Sequence, residues 1–286
     1  MLQRRKESIT AIPDVGKVFD YIDENGVPVI KAGRVERRPI NKPNPHENIT
    51  RFTLASDNTV VGKLLSGEII PSDVPAGDLT EVVLGNTVTS IRDESFGDGV
   101  FQNMGLESVT IPDSVTHIGS YAFYNNSLTS VTIPDSVTSI GSYAFYNNSL
   151  TNVTIGNSVT SINFAAFRNN SLTSVTIPDS VTSVGDYAFS FNSLTSITIP
   201  DSVTSIGLEA FWNNLNLETV YTETPVSAFG GSDIFLDTAL TTVYVRDNDG
   251  QLATYPDTSG GPVSWQGASN VSFVEWENWP DPVPNN

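Results

Sequence analysis

The sequence predicts a β-rich solenoid, in which the chain winds into stacked coils of equal length. Residues 106–127 and 128–149 differ at only two of their 22 positions. The leucine at the head of each unit also returns every 22 residues, as far as Leu194. A fixed period in this range indicates a repeat architecture, in which each unit shields the apolar side of the next. We therefore expect a parallel β-sheet on one face of the rod and turns or short helical or 3₁₀ coils on the other.

The first third of each unit is predicted to be a strand. In residues 128–133, Val131 and Ile133 alternate with serine and threonine, which is typical of a strand with one buried side. Pro134 ends the strand because it has no N–H for the hydrogen-bond ladder.

The remainder of the unit is predicted to return the chain to the next strand. Val137 and Ile140 act as apolar anchors, and residues 143–145 are expected to fill the far side as one helical or 3₁₀ turn. Residues 147–149 close the coil, where stacked asparagines are suited to hydrogen-bond free backbone groups.

The repeated pattern resembles a known family. Leu-x-x-Val-x-Ile followed by Pro-x-x-Val-x-x-Ile-Gly-x-x-Ala-Phe resembles the leucine-rich repeats of the BspA-like type, which occur in bacterial surface proteins and some protists. The resemblance covers residues 79–245, taken as about eight units with degenerate outer ones. It implies a leucine-rich-repeat solenoid that attaches to cells, matrix or other proteins.

Both flanks of the repeats are predicted to be caps. Residues 49–78 contain a β-hairpin pattern and are expected to shield the first coil. Residues 246–286 read as a C-terminal cap, with Trp265 over the end of the core, followed by a proline-rich tail.

Residues 1–48 are predicted to be an attachment segment. They contain a second hairpin pattern at residues 17–30 and a basic, proline-rich arm. The cations assigned to this arm are Arg34, Arg37, Arg38 and Lys42. Either the arm is a solvated linker, or it fastens the solenoid to an assembly partner.

The charge distribution limits the partners. The formal net charge of −18 falls entirely on residues 79–286, because residues 1–78 are neutral overall. Such an acidic solenoid repels nucleic acid and anionic membranes, so we expect neither as a partner. No signal peptide opens this chain, and no apolar run approaches the roughly 18 residues of a membrane span, so no membrane insertion is expected.

The sequence contains no recognisable catalytic or cofactor motif. There is no cysteine, and His117 takes a position that is serine in the next four units. One acidic row follows the strands, at Asp113, Asp135, Asn157, Asp179 and Asp201. These residues suit turns, and we expect neither metal nor cofactor there. The protein is therefore predicted to be non-enzymatic.

A first candidate binding surface is the outward side of the predicted strands, called here the strand face. Its members are Ser108, Thr110, Ser130, Thr132, Asn152, Thr154, Ser174, Thr176, Ser196 and Thr198. Such a flat polar surface suits a carbohydrate, a protein or ordered water, including ice. Threonine is also simply favoured in strands, which leaves a purely structural reading open.

A second candidate binding surface lies on the opposite side of the coils. Its predicted members are Tyr121, Tyr124, Tyr143, Tyr146, Arg168, Tyr187 and Trp212. Tyr, Trp and Arg are the residues that anchor protein interfaces. The structural alternative is that each ring only covers the turn of its neighbour.

Together these features predict a non-enzymatic recognition or adhesion protein, displayed on a larger assembly and attached through its N-terminal segment. A virion surface, as a head decoration or tail adhesin, and a cell envelope are the expected locations. The expected partner is a protein or a cell-surface glycan. The alternatives are a structural spacer that packs against its own copies, and a secreted bacterial surface adhesin.

Overall fold

The computed structural model describes residues 21–22, 28–29, 45–92, 99–223, 228–246 and 263–275. The basic arm with Arg34, Arg37, Arg38 and Lys42 lies outside the described residues, as does the proline-rich tail beyond residue 275. The described residues form β-strands and turns with no α-helix, and 3₁₀ helices occur at Pro45–Asn48 and Pro71–Asp73.

In chain order the strands are β1 (Tyr21–Ile22), β2 (Pro28–Val29), β3 (Ile49–Leu54), β4 (Val60–Leu64), β5 (Gly67–Ile69), β6 (Leu79–Val83), β7 (Val88–Ile91), β8 (Ser108–Thr110), β9 (His117–Ile118), β10 (Ser130–Thr132), β11 (Ser139–Ile140), β12 (Asn152–Thr154), β13 (Ser161–Ile162), β14 (Ser183–Val184), β15 (Ser196–Ile199), β16 (Ser205–Ile206), β17 (Thr219–Thr222), β18 (Thr242–Val245), β19 (Val263–Trp265) and β20 (Ala268–Glu275).

The predicted parallel sheet is confirmed along one side of the solenoid. It is built from the Leu-x-x-Val-x-Ile segments, and β10 pairs with β12 in parallel so that Val131 lies beside Val153, one repeat on. The orders β4-β3-β6-β8 and β15-β17-β18-β20-β19 extend this side toward the two ends. Between them, residues 174–176 are reduced to a single parallel bridge from Thr176 to Thr198.

The predicted N-terminal hairpin is also confirmed. β3 and β4 are antiparallel, and Asn58 in their turn adopts a positive φ of 58°, which asparagine tolerates. β3 pairs on its other edge with β6, the strand of the first unit. The hairpin therefore continues the first sheet beyond the first coil.

A second parallel sheet, which the sequence did not predict, lies on the next side of the coil. Its order is β16-β14-β13-β11-β9-β7-β5, and most of its members are two-residue strands such as β11. The N–H of Thr138 donates to Thr116 O at 3.0 Å, and that of Gly141 to Ile118 O at 2.8 Å. The isoleucine anchors, such as Ile140, thus belong to ladders that form only between coils, whereas the N–H of Val137 donates to Pro134 O within its own coil at 3.0 Å.

The third side consists of turns. The N–H of Tyr146 donates to Tyr143 O at 3.2 Å within the coil, and the N–H of Phe145 donates to Ala166 O of the next coil at 2.8 Å. Tyr143 and Asn147 have positive φ angles of 57° and 54°. Residues 143–145 fill this side of the coil as predicted, but they form a hydrogen-bonded turn and not the expected helical or 3₁₀ turn.

The core is a column of stacked phenylalanines flanked by aliphatic rows. The column comprises Phe101, Phe123, Phe145, Phe167, Phe189, Phe211 and Phe235, and every ring is fully buried. Neighbouring centroids are 5.2 to 5.7 Å apart, close to the spacing of the coils. The leucines that begin the eight predicted units are at most 1 % exposed, from Leu79 to Leu240.

A ladder of asparagines runs beside this column and satisfies the backbone of the turns. Asn148 Nδ2 donates to Phe123 O at 2.9 Å and to Phe145 O at 3.2 Å, while its Oδ1 accepts from the Leu128 N–H at 3.1 Å. The equivalent residues Asn126, Asn170, Asn192 and Asn214 make the same contacts. The predicted role of the Asn-Asn pair in closing the coil is confirmed.

The C-terminal end of the column is covered as expected. The ring of Trp265 lies 5.5 Å from that of Phe235 and 4.9 Å from that of Phe229, and Trp265 is only 7 % exposed. β20, which follows it, pairs in parallel with β18 and so extends the first sheet by one strand.

Candidate functional site

The strand face is flat, polar and almost uncharged. The residues predicted to point outward are exposed from Ser108 to Thr198, except that Ser196 is half-buried. The intervening residues, such as Val131 and Val153, are buried, so successive side chains along each strand alternate between solvent and core. The structure therefore places all ten predicted residues on one surface, but their small hydroxyl and amide groups offer little apolar area for a partner.

The opposite side carries a block of four tyrosines. The rings of Tyr121 and Tyr143 stack with centroids 4.9 Å apart, and those of Tyr124 and Tyr146 stack at 5.1 Å. Within a coil the rings meet at steep angles, 55° for the first pair and 69° for the second. Neighbouring rings therefore cover part of each other's faces, which leaves edges and hydroxyls as the more accessible parts of these half-buried side chains.

Packing within the block changes the acidity of two of its phenols. Burial raises the pKa of Tyr124, and the neighbouring phenols of Tyr146 and Tyr121 raise it further. Burial is also the main cause of the raised pKa of Tyr143, and the positive charge of Arg168 opposes this effect. These phenols remain neutral donors and acceptors well above physiological pH.

The coil at residues 150–171 interrupts the tyrosine columns. Ala165 stands where the previous coil has Tyr143, and Arg168 stands where it has Tyr146. Phe164, one residue earlier, takes over the aromatic path: its ring lies 5.1 Å from Tyr143 and 5.5 Å from Tyr187. Sequence reasoning missed Phe164 because it compared positions strictly in phase, although an aromatic residue at a serine position was a visible signal.

Arg168 lies over three rings contributed by the next two coils. Its Cζ is 4.8 Å from the ring centroid of Tyr187, 5.0 Å from that of Phe191 and 5.5 Å from that of Trp212. The Phe191 and Trp212 rings contact each other edge to face at 4.6 Å. Phe191, which sequence reasoning also missed, occupies a position that is Asn147 or Asn169 in earlier coils.

These side chains form one continuous surface, called here the aromatic face. Its members are Tyr121, Tyr124, Tyr143, Tyr146, Phe164, Arg168, Tyr187, Phe191 and Trp212. All are half-buried, and they span five consecutive coils, or roughly 19 Å along the axis. The structure therefore brings together every residue predicted for this side and adds two rings.

The acidic row forms turns. Asp135 Oδ1 accepts a hydrogen bond of 2.8 Å from the N–H of Asn157, one coil further on. Among the described residues, no three histidine or acidic side chains gather in a way that suits a metal ion. His117 is exposed, and its Nδ1 lies 3.0 Å from Thr116 Oγ1.

One shallow cleft lies between the N-terminal hairpin and the first coils. It encloses about 380 Å³, and Glu47, Arg51 and Asp113 line it together with apolar side chains of the first sheet. The lining combines both signs of charge around a wide opening. No helix in the described part of the chain has the length and hydropathy to cross a bilayer.

Sequence comparison assigns the repeats. The description "BspA type Leucine rich repeat region" matches six copies, over residues 76–148, 94–218 and 138–255. The chain belongs to this family. Leucine-rich repeats generally mediate protein–protein interactions. No match was found among curated proteins.

Solved leucine-rich-repeat proteins from bacteria resemble this BspA-type chain. A protein from Eubacterium ventriosum is 25% identical with a TM-score of 0.45, and the match covers 52% of this chain and 40% of that one. A protein from Bacteroides ovatus is 20% identical with a TM-score of 0.38, covering 82% and 70%. A leucine-rich cell surface protein from Faecalibacterium prausnitzii is 18% identical with a TM-score of 0.28, covering 85% and 96%.

Proposed function

We propose that this protein is a non-enzymatic recognition or adhesion protein, which binds a protein partner through the aromatic face. The observation that carries the proposal is the continuous run of half-buried rings around Arg168 across five coils. Tyr, Trp and Arg contribute most of the binding energy in protein interfaces, because they combine a large apolar area with a polar end. Membership of the BspA-type family supports a binding role.

The aromatic face suits this role better than the strand face. A partner gains free energy mainly from apolar area that it removes from water, and rings such as Tyr146 and Trp212 offer far more of it than Ser130 or Thr132. The strand face remains the alternative contact surface, with a protein or a glycan as its ligand.

The two faces are separable by mutation. We would probe the full chain against an array of purified proteins and an array of glycans, beside a Tyr124→Ser/Tyr146→Ser variant and a Thr132→Lys/Thr154→Lys variant. The expected result is a protein ligand that the serine variant loses and the lysine variant keeps. Binding that only the lysine variant loses would move the function to the strand face.

We further propose that residues 1–48 attach the solenoid to its larger assembly. Their basic arm, with Arg34, Arg37, Arg38 and Lys42, is opposite in charge to the acidic solenoid. We favour a cell envelope as this assembly because of the BspA-type repeats, and a virion surface is the alternative.

Attachment is tested by what co-elutes with the full chain and with residues 49–286. An envelope component that is lost with residues 1–48 supports the proposal. Co-elution with a capsid or tail component would instead place the protein on a virion, and equal co-elution with both forms would remove the anchor role.

A further inference from the structure

We infer that Arg168 is a receptor for a single carboxylate, contributed by an aspartate or glutamate side chain of the protein partner. The inference rests on the proposed function, because it assigns the central contact of the aromatic face. It follows from three features of Arg168: the rings that hold it, its unused donors and its isolation as a cation.

The rings hold the guanidinium in place. Tyr187, Phe191 and Trp212 all lie within 5.5 Å of its Cζ. Trp212 is itself fixed, because its Nε1–H donates to Asp237 Oδ2 at 2.9 Å. An arginine stacked on rings keeps its N–H donors at the edge of the guanidinium plane, so little side-chain entropy remains to be lost when those donors bind.

Those donors are unused within the described residues. A guanidinium carries five N–H donors, yet the Arg168 side chain forms no hydrogen bond or ion pair with any described residue. Asp186, in the next coil, and Asp237, three coils further on, have other partners. Asp186 Oδ1 accepts from the Leu208 N–H at 2.8 Å, and Asp237 accepts from Trp212.

Arg168 is also the one lysine or arginine between residues 99 and 223. It occupies the position that is Tyr124 and Tyr146 in the two previous coils. Those two rings stack on each other without a cation between them, so stacking alone does not explain why an arginine is present. The planar fork of arginine matches a carboxylate with two parallel hydrogen bonds, which is stronger than a contact between neutral groups. A carboxylate is therefore the group that completes this site.

An acidic side chain on a protein fits better than an acidic glycan. Sugars stack on the open faces of aromatic rings, whereas the tyrosines of the block cover part of each other's faces at 4.9 and 5.1 Å. The net charge of −18 on residues 79–286 also repels a polyanionic glycan. A lone carboxylate on a neutral or basic protein surface meets Arg168 without that penalty.

The test selects ligands from a random library, so it does not require the natural partner. Random peptides displayed on phage are panned on the full chain, every binder is then measured on Arg168→Gln, and those that bind this variant equally well are kept as a separate group. We expect the remaining peptides to share one aspartate or glutamate. Replacing that residue by its amide should weaken binding about tenfold or more, the loss expected for one charge-assisted contact.

Three further measurements keep the outcome clear. Arg168→Lys, which keeps the charge but loses the fork, should recover only part of the affinity. The melting temperatures of both variants should stay close to that of the parent, because a large drop would assign Arg168 a purely structural role. An array of sialylated and uronate-containing glycans should show no binding that depends on Arg168.

The inference and the proposed function fail in different ways. Peptides that lose affinity on Tyr124→Ser/Tyr146→Ser but bind Arg168→Gln normally would overturn the carboxylate receptor and leave the aromatic face as the binding surface. Peptides that bind all of these variants alike would overturn both. Arg168-dependent binding of an acidic glycan would replace the protein carboxylate by a sugar carboxylate.

Discussion

The rings of Phe145 and Phe167 lie parallel, with an angle of 0° between their planes and centroids 5.3 Å apart. Each is fully buried, and the two residues lie 22 positions apart in consecutive coils, so the contact joins one repeat to the next. In a solenoid the stability of the array comes largely from such contacts between neighbours. A cavity in the middle of the phenylalanine column should therefore weaken the coupling between the two halves of the rod, so that they unfold independently.

Phe167→Ala should destabilise the protein by about 3 to 5 kcal/mol, because it removes a buried ring and leaves a cavity that its neighbours fill only in part. Phe167→Leu, the matched control, should cost roughly 1 to 2 kcal/mol. Urea unfolding measures the stability of both variants. Circular dichroism follows the whole chain, whereas tryptophan fluorescence follows the C-terminal part, because all four tryptophans lie at or beyond Trp212. Coincident transitions for Phe167→Ala would argue against uncoupled halves.

Asn170→Ala should cost about 2 kcal/mol, because it leaves the Leu150 N–H without its partner and removes one of the two asparagine donors from the carbonyls of Phe145 and Phe167. The control is Asn169→Gly in an outer ladder, in which Asn169 Nδ2 donates to Asn147 Oδ1 of the previous coil. Glycine suits the positive φ of 60° at this position, so the loss should stay below about 1 kcal/mol. Chemical denaturation measures both. Similar losses for the two variants would mean that the inner ladder contributes no more than the outer one.

Ala165→Gly should be neutral or stabilising by up to about 1 kcal/mol. Ala165 is fully buried with a positive φ of 51°, a conformation that glycine adopts without the strain imposed by a Cβ. Its neighbour Ala166 is equally buried and is not among the residues with positive φ, so Ala166→Gly should cost about 1 kcal/mol. Thermal unfolding of the two variants measures the difference. Equal falls in melting temperature would contradict the prediction for Ala165→Gly.

Stability should fall at high pH through the tyrosine block. Tyr124 and Tyr143 have raised pKa values in the folded protein, so the folded state holds these protons more tightly than the unfolded state. Their contribution is complete below the ordinary tyrosine pKa of about 10 and is lost as pH rises through the folded values. Unfolding free energies from pH 8 to about 12, with tyrosinate absorbance, should show this fall, and Tyr124→Phe/Tyr143→Phe should reduce it.

The repeat period made the coil, the first sheet and the buried rows predictable. Val131, Ile133 and Phe145 recur in phase, and in a solenoid an invariant apolar position has nowhere to lie except inside. The second sheet was missed because Ser139 and Ile140 are too few residues to show alternation. Their hydrogen bonds come from adjacent coils, which single-unit reasoning does not consider.

The centre of the aromatic face was predictable only in part. Arg168, Tyr187 and Trp212 were selected as residue types that favour interfaces, but their convergence depends on side chains from three coils. Phe164 and Phe191 joined them from repeat positions that are serine and asparagine in the earlier coils. The left-handed backbone at Tyr143, with φ of 57°, had no sequence signal, because tyrosine is not a residue that usually adopts it.

The near identity of residues 106–127 and 128–149 has a genetic consequence. Unequal recombination between the two coding segments would delete or duplicate one coil without shifting the reading frame. The tyrosine block would then shorten or lengthen by about 4.8 Å, while Arg168 and its three rings travelled unchanged as a module. Variants of the protein that differ only in the number of coils would thus carry Arg168 at a different distance from the N-terminal end of the solenoid.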